Sequence, residues 1–342
     1  MGASRRGSLK LLAVAAACPA CPACPAWIGT GLAGGEAPPE TSRIRLSRLR
    51  SVCVAPQYVA AELLRGEGFT EIQYIGEGNS ASGLPGAQAM GAGQVDMAMN
   101  FAAPLVLAID QGVPIVLLVG VHSGCFELFG GERVRSIKGL KGKKVAILSK
   151  GSAQHVFLAS IATSVGIDPN RDIDWVEYTP ADSKRLLAEG KLDAYLGFPP
   201  DPQELRATKV GHVLLNSAVD RPWSQYFCCL VAANKEFVRK NPVAAKRATR
   251  AILKAGELCA SDPDLGVKAF VAQGYDANPE YAREAIRDLP YGRWREFNPE
   301  ETVRFYALRL REAEMVKGSP QKLIAQGTDW RILEQLKREM KT

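Results

Sequence analysis

Ala89-Met90-Gly91-Ala92-Gly93-Gln94-Val95-Asp96-Met97-Ala98-Met99-Asn100 passes from helix to strand within twelve residues, and this switch decides the fold class. A short helix over residues 86–92 meets two glycines, after which Val95 to Asn100 reads as a strand. Upstream, Glu71-Ile72-Gln73-Tyr74-Ile75 is a strand that runs into the turn-rich segment 76–83. Downstream, Pro104 to Asp110 is a helix stopped by Gly112, and Pro114 to Val121 is a longer apolar strand leading into His122-Ser123-Gly124-Cys125. Short apolar strands alternating with helical stretches predict an α/β fold whose sheets carry helices on both faces.

The alternation resumes after a basic turn at Ile137-Lys138-Gly139-Leu140-Lys141-Gly142-Lys143. The strand Lys144-Val145-Ala146-Ile147-Leu148 ends in the loop Ser149-Lys150-Gly151-Ser152, which opens a helix with Leu158, Ile161 and Val165 on one face. Residues 175–178, 194–198 and 212–215 supply further strands. From Asn241 on, four pairs (Asn241-Pro242, Asp262-Pro263, Asn278-Pro279, Asn298-Pro299) each predict an N-cap with proline in the first turn. The C-terminal third is therefore expected to be mostly helical.

The N-terminus reads as an export signal over residues 1–35, with Ser4-Arg5-Arg6-Gly7-Ser8-Leu9-Lys10 as its charged part and Leu11 to Ala17 as its apolar part. The paired arginines predict the twin-arginine route, although Ser8 stands where such signals carry phenylalanine. The apolar run falls short of the roughly 20 residues that a spanning helix needs. Cleavage after a small residue of segment 27–34, or before a lipid-bearing Cys18, would leave an exported, periplasmic chain. Cys18, Cys21 and Cys24 sit in a Cys-Pro-Ala repeat that reads as drift within a discarded signal. Removing Arg5, Arg6 and Lys10 lowers the formal charge from +7 to about +4, too little for a nucleic-acid surface. Arg43, Arg45, Arg48 and Arg50 alternate with apolar residues as a solvated edge of the first strand would. Cys53, Cys125, Cys228, Cys229 and Cys259 are an odd set that forms no disulfide framework, with one bridge left open to them. Some 300 mature residues, in a chain 46% apolar, can bury two cores.

Several blocks then fall in a telling order. Ala55-Pro56-Gln57-Tyr58-Val59-Ala60, Ala89 to Ala98 and Gln111-Gly112-Val113-Pro114-Ile115 are followed by Ile137 to Ala146, Ala188 to Ala194 and Asn241-Pro242. This order, from about Arg43 onward, resembles the nitrate/sulfonate/taurine class of ABC solute-binding proteins. The resemblance implies a type II-like periplasmic-binding-protein fold, two Rossmann-like lobes joined by two crossing segments. One lobe would hold 40–125 with 222–342 and the other 126–221, the crossings being Val119 to Phe126 and Pro222 to Cys228. It also implies a monomer that binds a small anionic or acid-bearing solute (sulfonate, taurine, nitrate or a relative) between lobes and delivers it to an ABC permease and its ATPase.

In such sheets ligands bind at the carboxyl ends of strands, which is where the Gly/Ser loops fall. Gly78, Asn79 and Ser80 offer donors before a helix start, and Ser149, Lys150 and Ser152 repeat the arrangement in the other lobe. Each loop also reads as a plain connector, with Ser152 as a helix cap. Gln57, Tyr58 and Asn100 lie at the same level, His122 is a further ligand-binding candidate, and Phe198 and Trp223 are candidates for the cleft wall, with core packing as their other reading. His122 and Cys125 form a His-x-x-Cys pair, but metal sites need three or four placed ligands, and no metal or other cofactor is expected. No nucleophile elbow, Walker loop or His-Glu-x-x-His helix occurs, so no catalytic residue is assigned. Two other functions stay open. One is a pyrimidine-synthase-like enzyme of the same fold family, of whose cysteine-rich motif Phe227-Cys228-Cys229 is an echo. The other is a ligand-binding receptor for a membrane sensor.

Overall fold

The computed structural model describes residues 36–340, apart from 77–81 and 276. Ten strands form two sheets of five. The first has the order β2-β1-β3-β10-β4, built from β1 (Arg43–Ser47), β2 (Glu71–Ile75), β3 (Met97–Phe101), β4 (Ile115–Ser123) and β10 (Phe227–Asn234). The second has the order β7-β6-β8-β5-β9, built from β5 (Glu127–Gly130), β6 (Lys143–Ile147), β7 (Ile173–Glu177), β8 (Ala194–Gly197) and β9 (His212–Asn216). The two orders correspond. In each sheet a parallel trio is followed by one antiparallel strand, β10 in the first and β5 in the second. Each of those strands is the first that the chain makes on arriving from the other sheet.

Thirteen helices accompany them among the described residues. The first six are α1 (Ala55–Gly66), α2 (Gly83–Gly91), α3 (Ala102–Asp110), α4 (Ala153–Ser164), α5 (Pro180–Ala188) and α6 (Asp201–Thr208). The C-terminal third supplies α7 (Lys235–Lys240), α8 (Pro242–Ser261), α9 (Pro263–Val271), α10 (Pro279–Asp288), α11 (Pro299–Glu312), α12 (Pro320–Gly327) and α13 (Arg331–Glu339). The Asx-Pro reading holds at three of its four positions. Asp262, Asn278 and Asn298 accept from the amides of Asp264, Glu280 and Glu300. Asn241 instead closes α7, donating both its backbone amide (2.8 Å) and its side-chain amide (3.1 Å) to Phe237 O, because α7 and α8 abut there.

Every residue of β4 and β10 is buried, as continuous apolar strands covered on both faces must be. The arginines of β1 correct an expectation. β1 lies between β2 and β3 rather than at an edge, and Arg45 folds onto Asp96, donating from Nε (3.1 Å) and Nη2 (2.6 Å). The stretch between β4 and β5 is fastened to the stretch between β9 and β10 and to the start of β10. Ser217 Oγ accepts from the amides of Cys125 (3.1 Å) and Phe126 (2.9 Å), and a disulfide joins Cys125 to Cys228. Gly124, at φ +64°, leaves no room for a side chain: a Cβ would stand 2.3 Å from Ala218 Cα.

Candidate ligand-binding site

The carboxyl ends of the parallel strands meet where the two sheets face one another. Val52 N donates to Pro199 O (3.2 Å), and Leu84 N donates to Gly151 O (3.2 Å). Behind these contacts a chain of rings crosses the junction: Phe101 to Phe126 (4.9 Å between centroids), Phe126 to Phe157 (4.7 Å) and Phe157 to Trp223 (5.4 Å). Phe198 packs 6.0 Å from Phe101. Both aromatic candidates for the cleft wall are thus held in one buried cluster, though Phe198 also reaches a cavity.

That cavity, of about 480 Å³, draws on both sheets. From the first side come Arg50, three residues past β1, and Phe270, Asn278 and Tyr281 from α9 and the start of α10. From the second come Thr179, Lys184, Asp201 and Glu204, on segments that leave β7 and β8. Lys184 is neutralised in place, 3.1 Å from Asp201 and paired with Glu204, while Tyr195 donates its hydroxyl to Asp201 (2.6 Å). Arg50 and the first turn of α5, which Thr179 Oγ1 caps (3.1 Å from Asp182 N) and which carries Asp182, line the same space. Such a space suits a small organic molecule with one polar group.

The sequence candidates are distributed unevenly around it. Gly78, Asn79 and Ser80 lie outside the described residues. Ser152 caps α4, its Oγ accepting from His155 N (3.4 Å); Ser149 O accepts from Ser152 N (3.1 Å), and Lys150 N donates to Glu177 Oε1 (3.1 Å). The amide of Gln57 ties strands together, donating to Ser47 O (2.6 Å) and accepting from Met99 N (2.8 Å). Asn100 holds the start of α2, accepting from Gly83 N (3.2 Å) and donating to Gly83 O (3.3 Å). Tyr58 is buried, donates to Leu49 O (2.6 Å) and packs on Tyr74; burial pushes its phenol well above the usual range. Sequence reasoning missed Arg50 as a cavity residue, and Lys184 and Tyr281 altogether. Their shared signal is position, a few residues past a strand or at a helix start.

His122 and Cys125 belong to a different place, a buried cluster that Cys53 and Cys229 complete. Cys53 Sγ lies 4.0 Å from Cys229 Sγ and 3.0 Å from Ser51 Oγ. Burial by itself would raise the Cys53 thiol, but hydrogen bonding with Cys229 and the neighbouring His122 draw it below the ordinary range; burial and then Cys53 push Cys229 well above it.

The architecture is that of the periplasmic binding proteins. The nitrate-binding protein NrtA from Synechocystis PCC 6803 superposes with a TM-score of 0.73 over 89% of this chain and 90% of its own, at 14% identity. The alkanesulfonate-binding protein SsuA from Xanthomonas axonopodis pv. citri, bound to MOPS, gives 0.66 over 85% and 99%, at 17% identity. The model of the NMT1-like family matches residues 37–273, and the chain belongs to that family. A curated relative, a 4-amino-5-hydroxymethyl-2-methylpyrimidine phosphate synthase from Saccharomyces cerevisiae, is 25% identical over 200 residues, 53% of this chain. The match spans 56% of that relative's length.

Proposed function

We propose that this protein is the extracytoplasmic solute-binding component of an ABC importer, taking a small acid-bearing organic solute into the cavity between its sheets. The observation that carries the reading is the cavity itself, about 480 Å³ at the carboxyl ends of strands from both sheets. Arg50 favours an anionic group, and Phe198, Phe270 and Tyr281 favour a carbon skeleton beside it. In this reading residues 40–125 with 222–342 form one lobe and 126–221 the other, hinged at the crossings, and an exported monomer docks on a permease. A thermal-shift screen with alkanesulfonates, taurine, nitrate and aromatic acids tests it, since a ligand of the native state raises the melting temperature. Arg50→Gln should weaken the best ligand about tenfold or more, as loss of a hydrogen bond to a charged group does. A screen without hits, or a hit indifferent to Arg50, would refute this assignment of the cavity.

A second reading, an enzyme, rests on the match to the pyrimidine phosphate synthase. Mass spectrometry separates the two, since a binder returns its ligand unchanged and an enzyme releases a new pyrimidine. A receptor that presents the ligand to a membrane sensor would use the same cavity; crosslinking to membranes would capture a sensor in place of a permease.

A further inference from the structure

The cluster behind the crossings is used by neither the cavity nor the closing contacts. Cys53 comes from the turn before α1, Cys125 from the first crossing and Cys229 from β10, and their sulfurs all lie within 4.8 Å of one another. His122, at the end of β4, is fully buried. Its Nδ1 lies 3.3 and 3.2 Å from the carbonyls of Ser123 and Gly124, whereas Nε2 has no partner of good hydrogen-bond geometry among the described residues, although the ring stands close to the Cys53 thiol. A buried ring nitrogen left without a partner is costly, and a metal ion is one group that satisfies it. In this structure Cys125 is bonded to Cys228, so one of the three sulfurs is not yet a thiolate.

We propose that opening the Cys125–Cys228 disulfide converts this cluster into a closed site for one borderline or soft cation, held by Cys53, Cys125, Cys229 and His122 Nε2. A dithiol reductant gives two electrons and two protons to the disulfide and becomes a disulfide itself, leaving Cys125 and Cys228 as thiols. A divalent cation then displaces the protons of Cys53, Cys125 and Cys229, and Cys228 stays behind as a thiol. Three sulfurs and one imidazole are a familiar tetrahedral set for zinc. With zinc–sulfur bonds of about 2.3 Å, tetrahedral geometry spaces the sulfurs about 3.8 Å apart. The three sulfurs already approach this, at 4.0 Å for Cys53 to Cys229 and no more than 4.8 Å for the other two pairs, whereas His122 stands outside that 4.8 Å group and its ring has to swing in to complete the set. The sequence pattern hides the set, because its ligands are 53, 122, 125 and 229 in the chain and share no local motif.

The test uses the whole mature chain, Co²⁺ as a spectroscopic probe and Zn²⁺ as its competitor. After reduction and anaerobic removal of the reductant, one equivalent of Co²⁺ should give the sulfur-to-cobalt charge-transfer and intense visible bands of a tetrahedral thiolate site, and Zn²⁺ should erase them. The oxidised chain should show neither. Cys228→Ser cannot form the disulfide and should bind Co²⁺ without reduction. Cys53→Ser and Cys229→Ser should each lose about a hundredfold in affinity, His122→Asn at least tenfold, and Cys259→Ser nothing. Absence of the bands from both the reduced chain and Cys228→Ser would overturn the proposal, as would equal binding by the oxidised chain. Because Cys228→Ser leaves all four ligands in place, a folding failure of the ligand variants would not shield the idea.

Discussion

The amide of Leu84 donates to the carbonyl of Gly151 across 3.2 Å, so the first turn of α2 rests directly on the loop that opens α4. No side chain fits between them, since a Cβ on Gly83 would stand 2.9 Å from Ala153 N. The two sheets therefore stand in apposition here. If a ligand draws the lobes together, X-ray scattering should record a smaller radius of gyration with a saturating ligand from the screen than without it. An identical radius in both states would mean that apposition is permanent and the hinge does not exist.

Arg206 on α6 reaches three carboxylates: Glu127 on β5, and Glu284 (2.7 Å) and Asp288 (3.3 Å) on α10. Burial pushes the Glu127 carboxyl upward and the guanidinium opposes it, so Glu127 depends on this partner to stay ionised. Arg206→Met should cost about 2 kcal/mol in urea unfolding, less than a wholly buried pair because Arg206 is partly exposed. Adding Glu127→Gln should recover part of that loss. Equal stability of Arg206→Met and the wild type would show that the ion pairs contribute nothing.

Ser152 gives the cleanest separation of cap from ligand contact. Its Oγ already accepts from His155 N, so Ser152→Ala should lower unfolding free energy by about 1 kcal/mol and leave solute affinity within twofold. Calorimetric titration beside melting curves without ligand decides between the roles. A tenfold loss of affinity at unchanged stability would return Ser152 to the ligand.

One turn further on, His155 Nδ1 accepts from Gly151 N (3.1 Å) and its ring lies edge-on to Trp175, 5.1 Å between centroids. Burial first, and then the charge of Lys150, hold its pKa down at about 4. The folded value lies below the unfolded one of about 6.5, so the unfolded chain takes up the proton first on acidification. This contribution to stability is whole above about pH 6.5 and shrinks as the pH falls toward about 4, by roughly 1–2 kcal/mol after allowing for partial exposure. His155→Asn, which can keep an acceptor near Gly151, should flatten that part of the pH–stability curve. An unaltered curve would remove His155 as its source.

The alternation of strands and helices was legible because β2, β3, β4 and β6 carry their own period and punctuation. The tetrapeptide β5, Glu127–Gly130, is too short to show one. The apolar run at Phe227 announced burial without announcing its neighbours. Its place between β3 and β4 comes from the route of the chain rather than from its composition. The candidate site divides in the same way. Ser149 to Ser152 and Phe198 end strands that the pattern reveals, so their level in the structure could be read. Arg50, Lys184 and Tyr281 meet across the cavity from stretches more than a hundred residues apart at the extremes, and no local pattern encodes that meeting.

The insertion of β10 between β3 and β4 bears on how the molecule is made. Until the ribosome has passed Asn234, β4 has no hydrogen-bonded neighbour in its own sheet and β3 has one free edge. Everything that builds the second sheet is synthesised during that wait, and β5 to β9 need no strand from outside their own stretch. The order of assembly should therefore invert the order of the sequence: the middle of the chain can settle first, while the earlier segment stays incomplete with apolar edges uncovered. This is the interval in which a chaperone would find its client.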